Sequence, residues 1–555
     1  MAFERLKRFL RGDKKMDAPR YLKDIWQLNG VPAFYQYWLY GIWPWKFIYR
    51  GYYKMWHWIY WPTVAEPKGY RDMYRLNAAK FVCNQLANYI WGEQAEVNVS
   101  AAGIENADDD PLAKFIAYVL EQNDFNTKMG ELEEKVLAMG GGAIKQWCET
   151  DDRAPTDNDR MTSVLFDELG NPVKRVPCRV PLSYHTADQF VPTAWNNHDV
   201  TEGIFVSREA RQGWYYSRLE WHKWDGQTYV VSNDVYRNQV KDTPTMQDSG
   251  EGIYAEPQNI LGWWYPLNEV YPLLSPEAKI ENLKRSLFCY IKPAGANVLD
   301  DNSPLGMSIY ANALDTLRSL DETFDGFVNE IKLGRRRIIV PARALEPYID
   351  AATGKPVRYF NEHDSVYEAM NFDNVNDLKI NDTTMDIRTD AYVSALNGLL
   401  SQLCTQIGAD AGMLAFDKAQ GMKTATEVIS EQSKTYTVVQ AHKNNLKCAI
   451  EKMVHNILDI AALYNIEFDG VMLKPLIEHG YEINVHFDDS IIQDKAAEQQ
   501  QAIMELSNGV RSKASYLCDV RGMTEEQAAA ELKRIADESK VTGDAIDLLE
   551  AGGLE

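Results

Sequence analysis

The groups in this chain that could hold a metal, attack a carbonyl or move a proton are nine histidines, seven cysteines and 80 acidic side chains. Their spacing favours none of these chemistries. No HExxH pair or other metal spacing occurs among the histidines, and His442 and His455 read as surface or core residues of a helix. Cys83, Cys148, Cys178, Cys289, Cys404, Cys448 and Cys518 are scattered, with no CxxC pair. They read as buried thiols of a reducing compartment, neither staples nor zinc ligands. Gly140-Gly141-Gly142 lacks the Gly-Lys-Ser/Thr of a phosphate loop, and no Walker A motif occurs elsewhere. It reads as a helix C-cap, and the chain is not expected to be an ATPase. Asp488-Asp489 stands where a strand gives way to a helix, so Asp489 or Ser490 as an N-cap is the better reading than a metal site. No catalytic, metal or cofactor site is expected.

Two other stretches stand out. Gly408-Ala-Asp-Ala-Gly412-Met-Leu-Ala-Phe-Asp-Lys-Ala-Gln-Gly421 is a glycine-spaced loop, readable as a plain connector or as a working loop. Arg335, Arg336, Arg337 and Arg343 make a basic patch, for which a solvated face is the simplest reading. The elements around them are more telling. After the loop, Thr424-Ala-Thr-Glu427 is a capping box, and neither proline nor glycine follows until Gly470. A helix from Thr424 to Tyr464 would be roughly 60 Å long at about 1.5 Å per residue. Such a strut behind a glycine loop suits a machine part better than a catalytic pocket.

Before the loop, Ile309, Ala313, Leu317, Leu320, Phe324, Phe327 and Ile331 recur at steps of three and four. The spacing predicts a helix over Ser308–Leu333 with one narrow apolar face. A second helix is predicted over Met385–Ile407, with Leu396, Leu399, Leu403 and Ile407 on one side. Between them lies a small α/β insert, 335–381, with a strand at Arg335–Pro341 and a turn at Thr353-Gly354-Lys355-Pro356. Upstream, helices are predicted at Arg71–Trp91, Pro111–Glu121 and Lys128–Met139. A β-rich region follows over roughly 143–240, with a hairpin about Asp225-Gly226. Residues 238–268 read as irregular, Tyr481–Phe487 as a strand, and the part beyond Gln493 as an acidic helical tail.

The chain has 555 residues, a length that suggests about three or four domains. Its formal charge of -22 argues against tight nucleic-acid binding over the whole surface, but not against a polyanion sliding past. Arg5, Lys7, Arg8, Arg11, Lys14 and Lys15 open the chain, but no aliphatic run follows, so no signal peptide is expected. Gly41, Pro44, Lys46, Arg50, Gly51 and Lys54 interrupt the aromatic tract Phe34–Trp61, which argues against a membrane span.

Several phrases occur in an order that resembles bacteriophage portal proteins of the Gram-positive siphophage type. They are Leu76-Asn-Ala-Ala-Lys80 with Ala87 and Glu93, Tyr216-Ser-Arg-Leu-Glu220, and Ser303-Pro-Leu-Gly-Met-Ser-Ile-Tyr-Ala-Asn312. Glu330-Ile-Lys-Leu-Gly334-Arg-Arg, Lys423-Thr-Ala-Thr-Glu-Val428 and Phe487-Asp-Asp-Ser490 complete the series. The resemblance implies an α+β portal fold, a ring of about twelve subunits at one capsid vertex, and a central tunnel for double-stranded DNA. It implies the terminase, a head-completion adaptor, the major capsid protein and scaffolding protein as partners. It implies location in the virion, and in the host cytoplasm during assembly.

Carried onto this chain, the resemblance divides it in sequence order. Residues 1–95 form the N-terminal helical part of the wing and 96–307 the wing with its β-rich region. Stem helix 1 is 308–333, the clip 334–381 and stem helix 2 382–407. The tunnel loop is 408–422, the long wing helix and strand 423–491, and the crown and tail 492–555. Stem packing is expected from Leu317, Leu320, Phe324, Leu396, Leu399 and Leu403. Gly408, Asp410, Gly412, Met413, Leu414, Phe416, Asp417, Lys418 and Gly421 are expected to face DNA. With Ala409, Ala411 and Ala415 they offer few phosphate anchors, so DNA can slide. Arg335, Arg336, Arg337, Arg343, Lys355 and Arg358 would form a basic collar at the clip, repeated around the ring, for docking. The aromatic tract would be packed wing core or a subunit interface. The alternatives are another viral connector or minor capsid protein, or an enzyme with an unrecognised site in the β-rich region.

Overall fold

The computed structural model describes residues 21–22, 24–28, 31, 33–61, 69–92, 94–102, 110–156, 158–167, 171–239, 261–333, 338–339, 346–349, 356–359, 381–382, 386–410, 414, 425–487, 504–506, 511–521, 528–529 and 531–534. The chain divides into two units, residues 1–92 with 97–485 and residues 93–96 with 486–555. In the second unit a helix covers Lys513–Arg521 and Ala528 is buried.

The first long element of the first unit is α1 (Ala33–Tyr49), into which the first part of the aromatic tract folds despite Pro44. No helix among the described residues is long and apolar enough to cross a membrane. A short hairpin, β1 (Trp58–Tyr60) with β2 (Tyr70–Asp72), follows. The helix expected to begin at Arg71 begins only at Ala78 and runs to Trp91 as α2. Arg71 belongs to the β2 ladder, and Asn77 sits in the left-handed region at φ 56, a conformation its short polar side chain tolerates and a helix cannot continue. Val82, Cys83, Leu86 and Ile90 form the buried stripe of α2.

Next come α3 (Pro111–Gln122) and α4 (Phe125–Met139). Asp110 caps α3 by accepting from Leu112 N at 2.8 Å, with Pro111 at the first helical position. Gly140 ends α4 at φ 81, and a Cβ there would lie 2.7 Å from the Met307 carbonyl carbon. The helix-cap reading of the triple glycine therefore holds.

The β-rich region starts with β3 (Gly142–Gln146), buried along its whole length. It continues through β4 (Met161–Phe166), β5 (Pro172–Arg179), β6 (Leu182–Thr186) and β7 (Phe190–Trp195). Three twelve-residue strands follow, β8 (Val200–Arg211), β9 (Trp214–Asp225) and β10 (Thr228–Gln239). Asp225 pairs with Thr228, so the predicted hairpin turns in two residues. Strands β7 to β10 form an antiparallel meander, extended by β11 (Gly262–Tyr265), by Tyr21–Leu22 beyond it, and by β12 (Glu277–Ile280) on β10. Strand β11 lies inside the stretch expected to be irregular. A separate three-stranded sheet runs β13 (Phe288–Ile291), β3, β6. Phe190, Phe205 and Phe288 fill the space between these sheets, with ring centroids 4.8 to 5.6 Å apart.

After a 3₁₀ turn at Ala311–Ala313 comes α5 (Leu314–Leu333). The insert contains two small antiparallel pairs, Ile338–Ile339 with Asn381–Asp382 and Glu346–Ile349 with Pro356–Tyr359. Then come α6 (Thr389–Gln406) and α7 (Ala425–Leu463). The 39 residues of α7 extend about 58 Å. Residues 411–413 and 415–424, Thr424 of the expected capping box among them, lie outside the described residues. From Val439 onward α7 buries a broad face against β13 and β3, including Leu446, Ile450, Met453, Ile457 and Leu458. Asn456 fixes that packing by donating to Gln146 Oε1 at 3.1 Å and to the Ser286 carbonyl at 3.0 Å. Tyr481–Phe487 is a strand, as its alternation predicts. The fold is α+β.

Candidate functional site

Helices α5 and α6 lie side by side, and the features of α5 explain why it holds its place. Asp321 and Asp325 are one turn apart and therefore share a face. Asp321 Oδ1 accepts from Leu76 N at 2.8 Å, and its Oδ2 lies 3.0 Å from His57 Nε2. Because His57 Nδ1 accepts from Tyr53 N at 2.8 Å, the ring proton sits on Nε2 and is donated to Asp321. Asp325 receives both Nη groups of Arg71 at 2.7 Å each, Tyr74 N at 2.9 Å and Asn329 Nδ2 at 3.0 Å. Partial burial opposes ionisation of Asp325, but these donors outweigh it and hold the carboxyl below its ordinary range. The Arg71 guanidinium is raised in turn by its hydrogen bond to Asp325. At the far end of α5, Lys332 bonds the Tyr74 hydroxyl.

Leu317 and Leu320 are buried and Phe324 is half-buried. Phe327 meets Tyr392 of α6 at 5.7 Å, and Arg388 grips Glu330 with two bonds of 3.0 and 2.8 Å. On α6 the buried stripe is Leu396, Leu400, Leu403 and Ile407. Leu400 takes the place expected of Leu399, which lies about 100° round the helix and is half-buried.

The root of the glycine loop is firmly built. Gly408 ends α6 at φ 78, with its N–H on the Thr405 carbonyl at 3.2 Å, and Ala409 N reaches the Cys404 carbonyl at 2.8 Å. A Cβ on Gly408 would stand 2.9 Å from Val438 Cγ2 of α7, so both conformation and space call for glycine. Asp410 N donates to Thr435 Oγ1 at 2.9 Å. Ala409 and Leu414, expected on a DNA-facing loop, are buried in the single chain. Gly412, Met413, Phe416, Asp417, Lys418 and Gly421 lie outside the described residues. So do Arg335, Arg336, Arg337, Arg343 and Lys355, while Arg358 stands opposite Pro347 in its ladder.

Beside this root is a cavity of about 410 Å³, lined among others by Ala294, Met307, Ile407, Val438 and His442. His442 Nδ1 accepts from Ala294 N at 3.0 Å, and burial takes its pKa down to about 4, so the ring is neutral.

Sequence reasoning did not find a buried polar cluster in the β-rich region. Lys145 Nζ lies 2.7 Å and Arg218 Nη2 3.1 Å from Glu220 Oε2, while His222 Nε2 lies 3.0 Å from Glu220 Oε1. His222 Nδ1 is 2.8 Å from the Tyr229 hydroxyl, which accepts from Leu287 N at 3.2 Å. Burial opposes the charge on Glu220, yet the Lys145 charge, the His222 hydrogen bond and the Arg218 charge keep its carboxyl well below the ordinary range. Lys145, Glu220, His222 and Tyr229 are buried and spend their polar atoms on one another, the pattern of a structural network in a β-sheet interior. Among the described residues no three metal-binding side chains converge, and the cysteines described there are free thiols.

Compared with models of known protein families, residues 46–543 match the family described as phage portal protein, SPP1 Gp6-like. The chain belongs to that family. No curated protein matches it. The match runs from within α1, through the β-rich region, α5, the insert, α6 and α7, into the second unit. A portal protein is a structural component of the bacteriophage capsid, concerned with genome packaging, and its family is not an enzymatic one.

Proposed function

We propose that copies of this chain close into a ring at one capsid vertex, that the genome enters and leaves through it, and that the insert between α5 and α6 receives the terminase and later the head-completion adaptor. The observation that carries the reading is the α5–α6 pair. Its helices are about 30 and 27 Å long. They are clamped together by Arg388–Glu330 and bolted to the rest of the unit through Asp321 and Asp325. They lead directly into a glycine loop whose root is pinned to α7. In a ring of about twelve, such pairs standing side by side enclose a channel with the loops at one level and the inserts at one end. Net acidity favours passage of DNA over adhesion. The chain has no phosphate-loop motif, so the work of packaging comes from a separate ATPase.

Native mass determination and negative-stain microscopy of the purified chain test the ring. Closed rings with a DNA-wide hole are expected, and a monomer at every concentration would refute it. Deleting Ala411–Ala419 tests the loop: rings should persist while packaging or retention of DNA fails. Normal packaging by that variant would remove the loop from the tunnel.

A further inference from the structure

Between Met55 and Tyr74 the chain leaves several large apolar side chains in solvent. Met55 is 68% exposed, Tyr60 56%, Tyr70 54% and Trp58 43%, with Trp61 and Tyr74 at 39% each. Scattered exposed aromatics are ordinary, but a cluster on one hairpin marks an interaction surface. The register explains the arrangement. Trp58 pairs with Asp72 and Tyr60 with Tyr70, so these side chains share one face of the hairpin. Ile59 pairs with Arg71 on the opposite face, and Arg71 is the residue that grips Asp325 of α5. One face of the hairpin is bolted to α5 and the other presents aromatic rings outward.

That outward face is preorganised. The Trp58 and Tyr70 rings stack at 5.9 Å with 2° between their planes, and Tyr60 meets Tyr70 edge-on at 5.4 Å. On the opposite face the Arg71 guanidinium covers Trp61 at 4.1 Å, which steadies the hairpin from behind. Rigid Trp and Tyr side chains with little freedom left to lose are typical of interface hot spots.

We infer that this aromatic face is a subunit–subunit contact, and that its occupant is a second copy of this chain. The inference rests on the ring reading above. The hairpin is fastened along α5, so whatever covers its outer face lies beside the α5–α6 pair, and in a ring that neighbour is the next copy. Charge points the same way. Lys54 and Arg75 flank the rings, Lys54 over Trp58 and Arg75 over Tyr52, on a chain with a formal charge of -22. Helix α5 carries five acids against Arg318 and Lys332; Asp315 on it is exposed, and Glu322 is exposed while paired with Arg318 at 2.9 Å. A cationic aromatic patch and an acidic helix on the same chain are two unlike surfaces, which a head-to-tail ring requires.

The test uses the full chain with benzoylphenylalanine in place of Tyr60 and, as a control elsewhere on the surface, in place of Leu273. The double variant Trp58→Ser/Tyr60→Ser is compared in parallel. Irradiation at position 60 should give covalent dimers whose linked peptides both come from this chain, and position 273 should not. The double variant should assemble only at about tenfold or more higher protein concentration, with the monomer's circular dichroism unchanged. Wild-type rings that give no dimer at position 60 overturn the inference and leave the ring reading intact. So do rings of the double variant at the wild-type concentration, or a position-60 cross-link that goes only to an added short DNA duplex. A wild-type chain that never assembles overturns both readings.

Discussion

Arg71 and Asp325 are 254 residues apart in the chain and meet through two parallel hydrogen bonds of 2.7 Å. The pair is partly buried and joins the β2 strand to the middle of α5. Removing Arg71 leaves the Asp325 charge with only the Tyr74 N–H and the Asn329 amide to compensate it. Arg71→Ala is therefore expected to lower stability by about 2–4 kcal/mol, and Arg71→Lys to recover little of it, because lysine cannot reproduce the fork. Denaturant titration at fixed protomer concentration measures this, and a double-mutant cycle with Asp325→Asn isolates the coupling.

Glu133 of α4 is 2% exposed, and its Oε2 has no hydrogen-bond partner among the described residues. Burial pushes its pKa up to about 8, so the folded chain holds a neutral acid there at neutral pH. The unfolded chain releases that proton near the ordinary glutamate range. Stability is therefore expected to fall as pH rises from about 4.5 to 8 and to level off above. Glu133→Gln should remove that slope and raise stability by roughly 2–4 kcal/mol at pH 8, with little effect at pH 4. Melting curves across this pH range provide the check.

On the acid side, His442 and His185 act in the opposite sense. Burial lowers both, to about 4 and about 3, with the Lys145 charge adding to burial at His185. Unfolded histidine takes up its proton near pH 6.5, so the stability contributed by these neutral rings is present above that pH. It is lost progressively as pH falls toward 4 and then 3. His442→Gln keeps an acceptor for Ala294 N and should flatten the upper part of the loss, read as the shift of melting temperature between pH 7 and pH 4.5.

At Gly408, alanine meets two obstacles at once, a left-handed backbone and the Val438 methyl. Gly408→Ala is expected to cost about 1–3 kcal/mol. Adding Val438→Ala should relieve only the part due to contact. A double variant restored to wild-type melting would mean that the backbone conformation contributes nothing.

Local signals were the legible ones. The Asp225-Gly226 turn, the Gly140 cap, the alternation of Tyr481–Phe487 and the unbroken run of α7 each depend on neighbours a few residues away, and each stands in the fold. What escaped depends on distant partners. Arg71 looks like the start of a helix until β1 and Asp325 claim it. Strands β11, β12 and β13 are four residues each and exist because β10 and β3 offer them edges. Leu399 and Leu400 both suit an apolar stripe, and only the position of α5 decides between them. Asp321 and Asp325 carried no sequence signal as anchors, since acids on a helix usually point to water. The Lys145–Glu220 pair was hidden for the same reason: its members come from different sheets.

The two-point grip on α5 has a mechanical consequence. A helix held at one side chain can swivel about its axis or slip lengthwise. Held at Asp321 and Asp325, one turn apart on one face, it can do neither without tearing both carboxylates from their donors, because a slip of one residue couples about 1.5 Å of travel to about 100° of rotation. A force along α5 is therefore handed to the β1–β2 hairpin and the body behind it, and the helix bears load as a fixed strut.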